Sequence, residues 1–349
     1  MQVHREINQL PSFKNAVITI GTFDGVHTGH LQIIKQLKQE SVKVNGQSVI
    51  ITFHPHPRMV VESNSPHLSP VREGEKQPSN TVNLLNTLDE KIELLEKQGV
   101  DHLVIVSFTE QFSLLTPEEY IKNFLVEKFH PHTIIIGYDH HFGKQRKGNY
   151  KLLEKYAEEF NYTVKEIPGH VIDHIAISST KIRNAIITAD IETANKFLGY
   201  PYFFEGIVIE GDKIGRSLDY PTANLKVTDD NKLVPADGVY AVQVSLVNRD
   251  TSLGNSNESL DSAKISNFKP EIPNWDGMMN IGYRPTVGGI KKMVEVNIFD
   301  FDKNIYGQKI KIVIKKYLRP EQKFESLEKL KDQLSKDKEN AIQALQSEH

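Results

Sequence analysis

Apolar residues change their spacing twice along the chain. Ala16–Ile20 and Ser48–Phe53 are short unbroken apolar runs, which predict strands covered on both faces. Between them Leu31, Ile34 and Leu37 recur at helical spacing, predicting a helix from His30 to about Glu40. Leu88, Ile92 and Leu95 predict a second amphipathic helix, closed by Gly99. Leu103–Phe108 reads as a strand, and Thr116-Pro117-Glu118 opens a helix with a capping hydroxyl and a proline in its first turn. Thr133–Ile136 (strand), Leu152–Phe160 (helix) and Tyr162–Glu166 (strand) complete the half. Alternation of this kind predicts an α/β, doubly wound parallel sheet. The Ser-, Pro- and Asn-rich stretch Val61–Asn83 is expected to be a long loop.

The rhythm changes after Gly199-Tyr200-Pro201. Phe203–Glu210, Ala223–Val227, Gly238–Val247, Met278–Ile281, Met293–Phe301 and Gln308–Lys316 follow one another without helices, which predicts a small antiparallel barrel. Leu327, Leu330 and Leu334 mark one closing helix. Asn248–Asn274, rich in Ser and Asn, reads as an insertion in a loop. The expected organisation is a first domain over 1–186, a linker over 187–202 and a second domain over 203–349.

Composition narrows the function. A chain of 349 residues has room for two cores. A net charge of -3, from 42 basic and 45 acidic residues, argues against a nucleic-acid coat while leaving room for a local phosphate-binding cleft. Absence of cysteine excludes disulfides, cysteine-ligated metals and thiol catalysis. The opening MQVHREINQLPSF has no apolar leader, and no apolar run reaches the roughly 18 residues of a membrane span. A cytoplasmic protein without a membrane or nucleic-acid partner is expected.

Gly21-Thr22-Phe23-Asp24-Gly25-Val26-His27-Thr28-Gly29-His30 falls between the first strand and its helix. Open α/β sheets bind ligands there, and a helix N-terminus favours phosphate. His27 and His30 are three apart, so both rings can face one phosphate. The spacing fits neither a Walker A loop nor GxGxxG; it is similar to the HxGH signature of nucleotidyltransferases. Ile177-Ser178-Ser179-Thr180-Lys181-Ile182-Arg183 joins hydroxyls to two cations and suits a leaving pyrophosphate, although hydroxyls before a helix are equally caps. Thr52-Phe53-His54-Pro55-His56-Pro57, and Gly137–Gly143 with Arg146 and Gly148, follow strand ends and suit a flat acceptor ring. Their paired histidines lack the third-ligand spacing of zinc sites.

In the second half, Thr222 and Asn224 lie two apart in Gly215-Arg216-Ser217-Leu218-Asp219-Tyr220-Pro221-Thr222-Ala223-Asn224. Their neutral oxygens then point the same way and suit Mg²⁺ carried on nucleotide phosphates. In Val294-Glu295-Val296-Asn297-Ile298 the apolar residues face one side, and Glu295 with Asn297 the other. Glu295 is either a general base toward an alcohol or an ordinary outward charge. Arg319 either stacks on a planar substrate or pairs with Glu321.

Taken in order, GTFDGVHTGH, TFHPHP, FG-x-x-R-x-G, ISSTKIR, GR-x-L-x-x-PTANL, GVYAV, NIGYRPTV, EVNIFDF and LRPEQKF resemble the prokaryotic bifunctional riboflavin kinase/FMN adenylyltransferases over nearly the whole chain. The resemblance implies a nucleotidyltransferase domain followed by a six-stranded riboflavin kinase barrel. It implies ATP, riboflavin, FMN and FAD as ligands, with Mg²⁺ accompanying ATP. His27 and His30 would contact ATP phosphates and act in catalysis. Gly21, Phe23, Asp24, Gly25, Ser178, Thr180, Lys181, Arg183, Gly215 and Arg216 would complete the ATP sites. Phe53, Pro55, Pro57, Asp139, Phe142, Arg146 and Arg319 would border flavin, Thr222 and Asn224 would hold the metal, and Glu295 would be the kinase base. Thr22, His140, His141, Asp219 and Asn297 depart from the residues common in that family. Competing expectations are a flavin or nucleotide sensor without turnover, an RNA-adenylating enzyme, and a chain with only one active module.

Overall fold

The computed structural model describes residues 1–63, 82–167, 177–211, 220–247, 274–286 and 289–347. The chain divides into two compact units, Met1–Ser179 and Thr180–His349. Most of the expected loop and insertion (64–81 and 248–273), together with Gly215, Arg216 and Asp219, lies outside the described residues.

Six parallel strands build the first unit: β1 (Gln2–His4), β2 (Val17–Ile20), β3 (Ser48–His54), β4 (His102–Ser107), β5 (Thr133–Gly137) and β6 (Thr163–Ile167). Their order is β1-β4-β3-β2-β5-β6. From β2 the chain steps outward to β3 and β4, then returns to place β5 on the other flank of β2. The loops leaving β2 and β5 therefore diverge at the carboxyl edge, the usual ligand crevice of such sheets. Val17, Ile18, Val49, Ile50 and Ile51 are fully buried, as unbroken apolar strands require.

Local signals set the helices. Thr116 caps its helix through a reciprocal box with Glu119, with Pro117 in the first turn; the following seven residues, Tyr120–Val126, widen into a π-helix. Thr87 and Glu90 form a second such box ahead of helix Leu88–Glu96. Helix Pro57–Ser63 occupies the start of the expected loop. Strand β1 is an addition too, held in parallel register with β4.

The second unit is a closed six-stranded barrel, β10-β11-β8-β7-β12-β9. Its strands are β7 (Phe203–Ile209), β8 (Ala223–Val227), β9 (Gly238–Leu246), β10 (Trp275–Thr286), β11 (Gly289–Ile298) and β12 (Lys309–Arg319). All pairings are antiparallel. Tyr240, Met279, Ile281, Val294 and Val296 fill the interior, while Ala241, Met278 and Phe299 pack outward against Ala341, Ala344 and Leu345 of helix Leu327–Gln346. The stretch expected as a linker contains helix Ile191–Leu198, whose Asn195 donates to the Ile314 carbonyl of β12 at 3.1 Å.

Candidate active sites

In the first unit the turn after β2 is bent beyond ordinary backbone. Phe23 and Val26 hold φ of 47° and 37°, and a β-branched residue in that region carries strain of about 1–3 kcal/mol. Contacts from several directions hold the turn in that shape. Lys91 donates from Nζ to the Thr22 carbonyl at 2.7 Å, and the Thr52 hydroxyl donates to the same oxygen at 3.2 Å. The buried Asp24 carboxylate accepts from the Leu85 and Asn86 amides at 3.0 and 3.3 Å. The Ser179 hydroxyl donates to the Asp24 carbonyl at 2.8 Å.

The turn delivers two imidazoles to the N-terminus of helix Thr28–Lys43. His27 is the capping residue, and its ring stacks on His30 at 3.7 Å between centroids and 18° between planes. A methyl group at Gly29 would lie 3.1 Å from the His27 ring and press on that stack. Phe23 flanks His30 at 5.0 Å. The enclosed Nδ1 of His30 makes no hydrogen bond among the described residues. Burial first, then the His27 and Lys91 charges, hold the His30 pKa well below its ordinary value. His30 is therefore neutral at pH 7, with a ring nitrogen left for a ligand. Burial also pulls Lys91 down to about 8, against the opposing pull of Asp24.

The other expected residues of this unit divide into rim and core. Pro55, Asp139 and Arg146 are exposed and Pro57 is half-buried. Phe53 and Phe142 belong to the core: Phe53 packs edge-on to Phe108, and Phe142 stacks on Tyr120 at 5.0 Å. Ser178 is exposed; Thr180, Lys181 and Arg183 follow it on helix Ser179–Ile187 and fall in the second unit. Lys91 and Ser179 join the site although neither is a site residue on the sequence reading. A lysine on the apolar side of helix Leu88–Glu96, at stripe spacing from Leu88 and Leu95, was the available signal for the first.

In the barrel, Glu295 of β11 stands opposite Asn224 of β8, and on its other side opposite Asn280 of β10. Register partners share a face. The intervening Val294 and Val296 and the following Ile298 are buried, as the alternation predicts. Asn224 is 6% exposed, and a methyl group on Gly211 would run into its amide, so the backbone at Gly211, just after β7, lies directly against this side chain. Thr222 immediately precedes β8, half-buried. Asn297 donates from Nδ2 to the Pro221 carbonyl at 2.7 Å, tying the Pro-Thr-Ala-Asn turn to β11. Arg319 does not pair with Glu321. Its Nε and Nη2 donate to the two oxygens of Asp337 at 2.8 and 2.6 Å.

Matches to known families coincide with these two sites. Residues 10–181 match the FAD synthetase family and residues 198–345 match the riboflavin kinase family. The chain is 39% identical over 328 residues to the bifunctional riboflavin kinase/FMN adenylyltransferase of Listeria monocytogenes, covering 93% of this chain and 91% of that protein. It belongs to the bifunctional riboflavin kinase/FMN adenylyltransferase family. Against the Escherichia coli riboflavin kinase/FMN adenylyltransferase the identity is 33%, covering 95% and 93% of the two chains. A crystal structure from Streptococcus pneumoniae, described as a macrolide-efflux protein, shares the fold with a TM-score of 0.76 and 27% identity, covering 97% and 98%. No helix among the described residues is long and apolar enough to cross a membrane.

Proposed function

We propose that this chain makes FAD in two ATP-dependent steps, one in each unit. In the barrel, Glu295 takes the proton of the ribityl 5′-hydroxyl of riboflavin as that oxygen attacks the γ-phosphorus of ATP, releasing ADP and FMN. In the first unit, an oxygen of the FMN phosphate attacks the α-phosphorus of ATP, releasing pyrophosphate and FAD. A phosphomonoester is largely ionised at pH 7, so this second step needs no base; it needs placement and donors aimed at developing charge. His27, His30 and the first-turn amides of helix Thr28–Lys43 are placed to donate. The unsatisfied His30 Nδ1 is the kind of group a phosphate oxygen completes.

The donors around Asn224 fit a hard cation. Thr222, Asn224 and Glu295 offer only hydroxyl, amide and carboxylate oxygens, in the proportion expected for Mg²⁺ that arrives with phosphate ligands of its own. Thr222 and Asn224 would hold Mg²⁺, which when bound neutralises charge on the transferred phosphoryl group. Asn297 and Gly211 keep the Asn224 turn in place.

Domain limits of 1–186 and 203–349, a cytoplasmic setting, and flavin at Pro55, Pro57, Asp139, Arg146 and Arg319 complete this reading. Phe53 and Phe142 serve from beneath, as packing that supports the rim. Asp24 acts through the turn it anchors. Neither nucleic acid nor membrane takes part.

The register match of Glu295 with Asn224 carries the kinase assignment, since it brings base and cation ligand together from separate sequence motifs. A chromatographic time course of riboflavin with ATP and Mg²⁺ tests the whole reading. FMN should rise and then give way to FAD. Accumulation of FMN alone would confine activity to the barrel, and untouched riboflavin with folded protein would favour a sensor.

A further inference from the structure

The Arg319–Asp337 pair sits on the same outer barrel face as the proposed kinase centre. Val239 of β9 is the register partner of both Asn280 and Arg319. Asn224, Glu295, Asn280, Val239 and Arg319 thus form one row across five neighbouring strands. Three strand spacings separate Glu295 from Arg319, about 14 Å measured along the sheet. That suits a substrate whose hydroxyl is at one end and whose planar ring is at the other.

Asp337 is 1% exposed, on the face of helix Leu327–Gln346 that meets the barrel. Its carboxylate takes both arms of the Arg319 fork and a third hydrogen bond from Gln333 Nε2 at 2.9 Å, one helical turn earlier. Arg319 Nη1 also donates to the Pro320 carbonyl at 2.9 Å. Of the five guanidinium N–H groups, one on each Nη nitrogen makes no hydrogen bond among the described residues, and the Phe324 ring lies 5.8 Å from the guanidinium carbon. A buried pair of this kind adds little net stability over apolar residues of equal volume, whereas its geometry is far more exacting.

We infer that Asp337, supported by Gln333, is the positioning residue that fixes the Arg319 plane for the flavin ring in the kinase reaction. This rests on the reading of Arg319 as a flavin-bordering residue. Asp337 orients the guanidinium before substrate arrives, so its effect falls on riboflavin recognition. Phosphoryl transfer at Glu295, at the other end of the row, is left intact.

Steady-state phosphorylation of riboflavin by the full-length protein tests this, with Asp337→Asn, Arg319→Ala and the double variant compared. Asp337→Asn should raise the riboflavin KM roughly tenfold, the worth of one charge-assisted hydrogen bond, with kcat and the ATP KM within about twofold of wild type. In the Arg319→Ala background the same change should add less than about twofold, because the two residues act as one. A wild-type riboflavin KM in Asp337→Asn, with a raised KM in Arg319→Ala, overturns the inference and spares the reading beneath it. An unchanged KM in Arg319→Ala removes both. If Asp337→Asn fails to fold, Arg319→Lys decides. It keeps the charge and loses the fork, so its riboflavin KM should match that of Arg319→Ala; a wild-type value overturns the inference.

Discussion

Glu295 and Asn224 face each other across the β11–β8 ladder, with 70 residues of sequence reduced to one cross-strand pair. The pairing places a carboxylate and an amide side chain on the face opposite the packed valines. Their chemistry, rather than their packing, is what substitution should expose.

Glu295→Gln keeps shape and removes the proposed base. Riboflavin phosphorylation should fall by roughly 10²–10⁴, the usual worth of general-base catalysis, while conversion of supplied FMN to FAD continues at the wild-type rate. Separate assays of the two half-reactions check this. Loss of both in a folded protein would mean that the two sites are not independent.

His30→Ala should do the reverse. Adenylylation of FMN should drop by about 10²–10³, in line with loss of a donor aimed at developing charge, and FMN formation should persist. Full FAD synthesis by this variant would remove the imidazole pair from the mechanism.

Lys91 links the first site to pH. Its pKa, brought to about 8 by burial, makes it a cation at pH 7 that loses its proton just above. kcat/KM for adenylylation should therefore decline as pH rises through 8, and Lys91→Met should lack that limb and begin roughly tenfold lower. Stability moves in the opposite direction. Between about 8 and 10.5 the unfolded chain holds the proton that the folded chain has released, so wild type gains stability over Lys91→Met across that window. Parallel pH profiles for the two proteins, in rate or in melting temperature, would count against this role.

Gly211→Ala drives a methyl group into the Asn224 amide. We expect riboflavin phosphorylation to fall at least about tenfold, through a raised ATP KM, with adenylylation unchanged and unfolding free energy lowered by about 1–3 kcal/mol. An unaffected ATP KM would show that Asn224 does not depend on this close approach.

Much of this protein is legible in its sequence because strong local signals agree with one another. Unbroken apolar runs give the parallel strands, closely spaced strands give the barrel, and the Thr116-Pro117 start gives its helix. The departures have physical reasons. Strand β1 is three mostly polar residues whose only reason to be extended is β4 beside it. Helix Ile191–Leu198 has local marks, an Asp190 cap and a left-handed Gly199 at its end, but at eight residues it is short enough to depend on packing against β12 as well. Phe53 and Phe142 read as ligand-facing aromatics because composition cannot distinguish a ring on the rim from one in the core.

At the sites, His27, His30, Thr222, Asn224 and Glu295 stand out because their motifs are local. Asp24 reads as a ligand contact, yet its visible bonds go to the Leu85 and Asn86 amides, some sixty residues away in sequence. Asp337 hides in the continuation of the Leu330–Leu334 stripe, where a lone charge looks like an interruption until Arg319 is seen against it.

Closure of the barrel bears on how this kinase can change. With no free edge, each strand's register is held by neighbours on both sides, back to the strand where the circuit began. One residue inserted in β11 ahead of Glu295 would turn that carboxylate inward and a valine outward, unless a bulge like those in β12 took up the extra residue. Point replacements along the row, and length changes confined to the connections between strands, remain open to such an enzyme. Insertions within the staves are open only where a bulge absorbs them, as β12 does beside Lys316.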